Sequence, residues 1–330
     1  MSKLRIGILS FAHLHAYKYA EALLKRDDIE LVGLFDEEDQ RGNEAAAQYG
    51  IARMTQAEAL IEQADGIVIC SESRLHYSYA AAAAEAGVHI LLEKPLTTDG
   101  ADGRRLIETC KNKHVLLQTA FPVRLNTSIE RARQQVEAGV IGDIIAVSAT
   151  NRSKMPGGWF VDEARSGGGS VLDHTVHVTD VLRWMLRSEV ATVYAEAGTM
   201  LHDIPVEDCG LLSMTFENGV VATLDTSWSR PRSFPVWSDV TLKLIGTAGA
   251  LHVDIYNQSG NLWTNDGSLT HERIYWGDVA NEALVGEFIA SIQQQRTPCI
   301  TGEDGLRAAE VAWAAYDSIR LGQPVAVIHY

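Results

Sequence analysis

A chain of 330 residues, 46% apolar and 22% charged, is long enough for two separate cores and too apolar to belong to the disordered class. Its formal net charge of −15 argues against nucleic acid and membrane surfaces as partners and leaves a small molecule as the expected one. Cys70, Cys110, Cys209 and Cys299 lie far apart with no CxxC pair. That suits reduced thiols in a cytoplasmic protein, and neither a signal-peptide pattern nor a run of membrane-spanning length is present.

The apolar run at 4–9 (LRIGIL), a turn-like stretch, a helical AYKYAEALLKR and a second run at 30–35 (ELVGLF) predict a βαβ unit. Further runs at 66–70, 88–92 and 114–118 alternate with helical segments such as YSYAAAAAEAG, which predicts a parallel sheet covered by helices. Past Pro122, alternating patterns at 143–150, 191–198, 209–216, 219–228, 239–245 and 250–255 are separated by turn signals such as Glu217-Asn218-Gly219. With helices expected at 126–139, 173–187, 281–295 and 303–321, the second half reads as α+β with a mostly antiparallel sheet. The expected domains are 1–122 and 123–330.

In the first strand-to-helix turn, Gly7-Ile8-Leu9-Ser10-Phe11-Ala12-His13-Leu14-His15, the only glycine lies within the strand, so the GxGxxG of a dinucleotide loop is not matched. Ser10 and Ala12 are small enough to let a phosphate near the backbone, and His13 or His15 could donate to it. The loop reads equally well as an ordinary turn with polar surface histidines. Asp36 ends the second strand where an acidic side chain accepts hydrogen bonds from an adenosine ribose. Together with Glu37, Glu38 and Asp39 it favours NAD over NADP, although Arg41 keeps NADP open. Lys94, after Glu93 and before Pro95, ends a buried strand at the edge where open α/β sheets bind ligands, and could hydrogen-bond a reacting hydroxyl or relay its proton. The candidate cofactor contacts are Ser10, Phe11, Ala12, His13, Leu14, Asp36, Ser71, Glu72, His76, Glu93 and Lys94.

The richest constellation runs from Ser166 through Gly167-Gly168-Gly169 to Asp180. The helix after the glycines puts Asp173 and His177 at i and i+4 on one face, where the carboxylate can orient the imidazole for general-base work on an alcohol proton. A capping Asp173 and a surface His177 are the bland alternative. His174 is expected to face the substrate, Trp159 and Phe160 to wall a sugar ring, and Arg124 and Arg152 to bind oxygens. Trp228, Trp237, Trp263 and Trp276 read as packing residues. Asp173, His174 and His177, joined by His13 and His15, have metal-ligand chemistry too, but a metal is redundant beside a lysine and a dinucleotide fold, and none is expected.

Glu93-Lys94-Pro95, the Gly167–Asp180 segment, the FENG stretch Phe216–Gly219 and Gly246-Thr247-Ala248-Gly249 together resemble the glucose-fructose oxidoreductase, inositol dehydrogenase and MocA-like (Gfo/Idh/MocA) oxidoreductases, over essentially the whole chain. The resemblance implies a Rossmann domain followed by a domain whose open sheet supports dimers or tetramers. It also implies NAD- or NADP-dependent oxidation or reduction of sugars, cyclitols and related compounds. Lys94 matches the family's active-site lysine, and Asp173 and His177 its substrate-binding and acid/base pair. The chain departs from the pattern at Ser10, Ala12 and His15, which stand at the three glycine positions, at Thr175 where glycine is frequent, and at Pro122 where asparagine is usual. The expected activity is hydride transfer between NAD and a carbinol carbon. Two alternatives stay open, NAD-assisted redox elimination of a glycoside and ligand sensing without turnover.

Overall fold

A computed structural model describes residues 3–257, 259–263, 271–275 and 279–330. Five parallel strands, β1 (Leu4–Leu9), β2 (Ile29–Phe35), β3 (Gly66–Ile69), β4 (His89–Leu92) and β5 (Leu117–Thr119), form a sheet in the order β2-β1-β3-β4-β5. The crossovers carry α1 (His15–Leu24), α2 (Asp39–Tyr49), α3 (Ala57–Ile61), α4 (His76–Glu85) and α5 (Gly100–Asn112). Because both faces are covered, β1 and β3 are nearly all apolar, as strands buried on two sides must be. Gly7 is needed in β1 because a Cβ there would lie 2.9 Å from Ile67 and Leu60. The order of the strands reverses between β1 and β3, which opens a crevice at their carboxyl ends. β5 starts later than the apolar run at 114–118 suggests, because His114 takes φ 57° just past the end of α5 and the chain must turn before it can extend.

After α6 (Thr127–Glu137), a second sheet of seven strands runs β11-β10-β6-β9-β8-β7-β14. Its members are β6 (Ile144–Ser153), β7 (Val190–Gly198), β8 (Cys209–Phe216), β9 (Val221–Ser227), β10 (Ser238–Gly246), β11 (Ala250–Asp254) and β14 (Val325–Ala326). All pairings are antiparallel except β6 with β9. The strand alternation turns Val147, Ala149, Leu212, Met214 and Leu224 onto one face, where α8 (Ser170–Leu186) and α10 (Gly302–Leu321) bury them with Val178, Leu182 and Val311. Each of the valines, leucines and the methionine among them contributes about 1.5–3 kcal/mol relative to exposure. The other face is open, with Leu211 and Val221 exposed.

The short α7 (Glu163–Ser166) precedes α8, which begins three residues before the predicted 173 and so places Asp173 in its first turn. A hairpin of β12 (Ser259–Trp263) and β13 (His271–Tyr275) was not foreseen, and the packing expected of Trp263 and Trp276 falls on side chains outside the described residues. α9 (Ala280–Gln293) returns to the first domain, where Leu284 and Phe288 join the core of Ile6, Ala20 and Leu23. Among the described residues no helix is long and apolar enough to cross a membrane.

Candidate active site

Lys94 leaves the end of β4 and reaches the first turn of α8, where its Nζ pairs with Asp173 Oδ1. Asp173 Oδ2 accepts from Trp228 Nε1 at 3.1 Å and lies 3.2 Å from His174 Nε2. Burial pushes this carboxyl up, but Lys94 and His174 outweigh burial and hold it well below the ordinary carboxylate range. His177, one turn further along, packs edge-on to Phe121 at 5.8 Å with its Nδ1 buried and without a hydrogen-bond partner among the described residues. Burial, then Lys94, pushes His177 well below the usual imidazole value, so the ring is neutral. The expected orientation of His177 by Asp173 is corrected here: the carboxylate is taken by Lys94, His174 and Trp228, and no Asp173–His177 hydrogen bond forms.

These groups line one cleft of about 410 Å³ together with His13, Leu14, His15, Asn151, Phe160 and Trp237. Asn151 Nδ2 donates to the His174 carbonyl at 3.2 Å and fixes that turn from β6. A larger cavity of about 860 Å³ opens at the opposite end of the parallel sheet, lined by residues such as Leu4, Val88 and Leu116, and holds no candidate residue.

The loop after β1 abuts this cleft. Ser10 adopts φ 72°, a backbone conformation in which glycine is the usual residue, and its Oγ accepts from Ala12 N at 3.2 Å. Phe11 N donates to Asp36 at 2.7 Å and His13 N to the Cys70 carbonyl at 2.9 Å. The Phe11 side chain is buried against Tyr17 and Tyr49, so only its backbone lies beside the loop. Besides Phe11 N, Asp36 accepts from Glu38 N at 2.8 Å and from Arg41 Nε and Nη2 at 2.9 and 2.7 Å. Glu93, fully buried, accepts from Tyr19 Oη at 2.6 Å and lies 2.9 Å from His15 Nδ1. Although burial pushes it up, His13, His15 and Lys94 hold it well below the ordinary range.

His13, His15 and Glu93 bring three ligand-type atoms within 4.8 Å of one another. His13 Nδ1 already accepts from His15 N at 3.1 Å, and burial pushes the ring down to about 3. Its one proton therefore sits on Nε2, the nitrogen 3.8 Å from Glu93, and that nitrogen has no lone pair for a cation.

Several expected contacts lie elsewhere. Arg124 is buried and bound to Asp180 at 2.8 Å through Nε and to the Cys299 carbonyl at 2.9 Å, so its guanidinium is a structural tie and not a substrate ligand. Arg152 points to the open face of the second sheet, where it pairs with Asp225 at 2.6 Å, because its neighbour Asn151 takes the cleft side of the strand. His76 lies fully enclosed beneath Lys94 with its ring nitrogens 2.7 and 3.2 Å from the Pro95 and Ser71 carbonyls, its one N–H donating to one of them, and Ser71 is buried with it. Glu72 pairs with Arg165 near α7. Trp159 donates its indole N–H to the Ala12 carbonyl at 3.0 Å, leaving Phe160, stacked on it at 3.9 Å, as the aromatic wall.

Two tryptophans read as packing have other positions: Trp228 holds Asp173, and Trp237, 47% exposed, stands at the cleft mouth. Trp228 lies 55 residues from Asp173, and no local pattern marks their contact.

Residues 4–121 match the Gfo/Idh/MocA oxidoreductase family, NAD-binding Rossmann fold, and residues 129–252 match the Gfo/Idh/MocA C-terminal domain. Similar proteins include the myo-inositol 2-dehydrogenase of Thermotoga maritima, 28% identical with 96% of each chain covered. An uncharacterized oxidoreductase of Bacillus subtilis is 30% identical over 80% of this chain and 79% of its own. A levoglucosan dehydrogenase solved with NADH and levoglucosan shares the fold at a TM-score of 0.85 and 20% identity, covering 99% of this chain and 100% of that one.

Proposed function

The chain belongs to the Gfo/Idh/MocA family of NAD-binding oxidoreductases, and from that premise we propose that it transfers hydride between NAD and a carbinol carbon of a sugar, cyclitol or related polyhydroxylated small molecule, with Lys94, Asp173 and His177 around the reacting oxygen. The observation that carries the reading is the Lys94–Asp173 ion pair in the wall of a cleft that begins at the loop after β1. The names of the Thermotoga maritima relative and of the levoglucosan complex support a polyhydroxylated substrate. So does charge: Lys94 is balanced by Asp173, and His13 and His177 are neutral, which suits an uncharged ligand rich in hydroxyls.

A nicotinamide dinucleotide fits this chain. The crevice between β1 and β3, the left-handed Ser10, the N-terminus of α1 and a buried Asp36 at the end of β2 lie where such a fold takes pyrophosphate and ribose. Ser10, Ala12, His13, Leu14 and Asp36 would hold it, and when bound it supplies the hydride acceptor or donor. NAD is favoured over NADP because Arg41, the nearby cation suited to a 2′-phosphate, is engaged by Asp36, Glu37 and Glu38.

Lys94 donates to the substrate oxygen and stabilises negative charge as it develops there. Asp173 keeps that ammonium aimed. His177, neutral and with Nδ1 enclosed, offers Nε2 to the hydroxyl proton. The exposed Leu211 and Val221 on the open sheet face support a homo-oligomer built on that face. The test is an NADH fluorescence titration followed by a panel of sugars, cyclitols and sugar acids assayed for NADH formation. Saturable binding and turnover of at least one polyol are expected, and no binding at millimolar cofactor would overturn the reading.

A further inference from the structure

α8 carries Asp173, His174 and His177 in its first turns, yet it has no cap of its own: the residue before it is Gly169, which has no side chain to offer. The amides at its start are met instead from outside. Ser170 N donates to the Glu207 backbone carbonyl at 3.0 Å, Gly169 N and Val171 N each donate to Glu207 Oε1 at 3.0 Å, and Leu172 N donates to Tyr316 Oη at 3.2 Å. Tyr316 Oη in turn donates to Glu207 Oε1 at 2.7 Å. The glycines make room for this arrangement: a Cβ on Gly168 would lie 2.1 Å from Tyr316 Oη, and one on Gly169 would lie 2.2 Å from the Glu207 carbonyl.

The next residue holds the other arm. The Asp208 carbonyl accepts from Trp228 N at 2.8 Å, and Trp228 is the residue whose indole N–H meets Asp173. Asp208 also anchors its own loop, because its carboxylate accepts from Met200 N, Leu201 N and His202 N at 2.9, 2.8 and 2.6 Å. The dipeptide Glu207-Asp208 is therefore hydrogen-bonded both to the helix that carries the Asp173 carboxylate and to the tryptophan that grips it.

We infer that Glu207 and Tyr316 are positioning residues for the reaction, holding the start of α8 so that Asp173 meets Lys94 across the domain boundary. Neither touches Lys94 or the cleft; they act through the helix and through Trp228. A displacement of about 1 Å at such a pair is enough to lower a rate by roughly 100-fold. The inference rests on the proposed hydride transfer for its catalytic meaning, but its structural content can be read without a substrate.

The experiment follows the seven tryptophan indole N–H signals of the full chain by 15N-resolved NMR, with the Trp228 signal assigned by Trp228→Phe. In Tyr316→Phe and Glu207→Ala the Trp228 indole is expected to exchange with solvent about tenfold faster, while the other described indoles keep their wild-type rates and NADH affinity stays within about twofold. Glu207→Gln, which keeps an acceptor for Gly169 N and Val171 N, is expected to restore protection. If Glu207→Ala does not fold, Tyr316→Phe decides the matter alone. Wild-type protection of Trp228 in the folded variants, or uniform loosening of all the indoles, would overturn the inference. Failure of the wild-type chain to bind NADH would remove the hydride-transfer reading and leave the indole result standing.

Discussion

Lys94 at the end of β4 and Asp173 in the first turn of α8 form an ion pair that joins the parallel sheet of the first domain to the helix that opens the second domain's side of the cleft. Their side chains are 5% and 15% exposed, so neither charge has much water to fall back on if the other is removed. Lys94→Ala or Asp173→Asn is expected to destabilise the fold by about 3–5 kcal/mol, measured by urea denaturation. The apolar double variant Lys94→Met/Asp173→Leu should recover most of that loss yet remain without NADH-forming activity. Activity retained by the double variant would remove both residues from the chemistry.

Trp228 supplies the neutral donor that fixes the second Asp173 oxygen. Trp228→Phe keeps most of the buried ring and loses the N–H, so a stability cost of about 1–3 kcal/mol is expected, together with a fall in kcat of about tenfold. An unchanged kcat on the best polyol of the panel would mean that Lys94 and His174 set the position of Asp173 without Trp228.

Asp36 holds Arg41 in place. Asp36→Ser removes the carboxylate that, in the proposed reading, a ribose hydroxyl would share with Arg41, and leaves the guanidinium held only by Glu37 and Glu38, freer to meet a 2′-phosphate. NAD affinity should fall by about tenfold or more while NADP affinity rises. Parallel titrations with NADH and NADPH check this, and equal losses for both cofactors would contradict the assignment of Arg41.

His13, His76 and His177 are all held below the ordinary imidazole value of 6.5, with burial as the first cause in each. Their folded-state pKa lies below the unfolded one, so between the two the unfolded chain binds the extra proton. The stability this represents is complete above about pH 6.5 and is lost as pH falls, for His13 down to about 3. Across its window His13 adds a slope of about 1.4 kcal/mol per pH unit, and His76 and His177 act in the same direction. Urea midpoints from about pH 7 to 5 should therefore drop steeply, and His13→Gln should flatten the curve by about one proton's worth. Identical slopes for the two proteins would show that His13 titrates normally.

The parallel sheet was legible in the chain because strands buried on both faces must be apolar runs, and the period of the second sheet was legible because its two faces differ. Lys94, Asp173 and His177 were also visible as types at positions, since a lysine at a strand end and polar groups one helical turn apart are local patterns. Their partners were not. One-dimensional spacing placed Asp173 with His177, four residues away, whereas folding gave its carboxylate to Lys94, 79 residues away, and to Trp228, 55 residues away.

Arg124, Arg152 and His76 carried the right chemistry for ligand binding, but Arg124 and His76 ended as internal ties and Arg152 as half of an ion pair on the open sheet face, because each takes the acceptor the fold brings within hydrogen-bonding reach. The sequence by itself determined the two architectures and which residue types could do hydride chemistry, both of which depend on period and local composition. Only the tertiary structure decided which oxygen meets which hydrogen, since hydrogen bonding is a matter of ångströms between elements that the chain order keeps far apart.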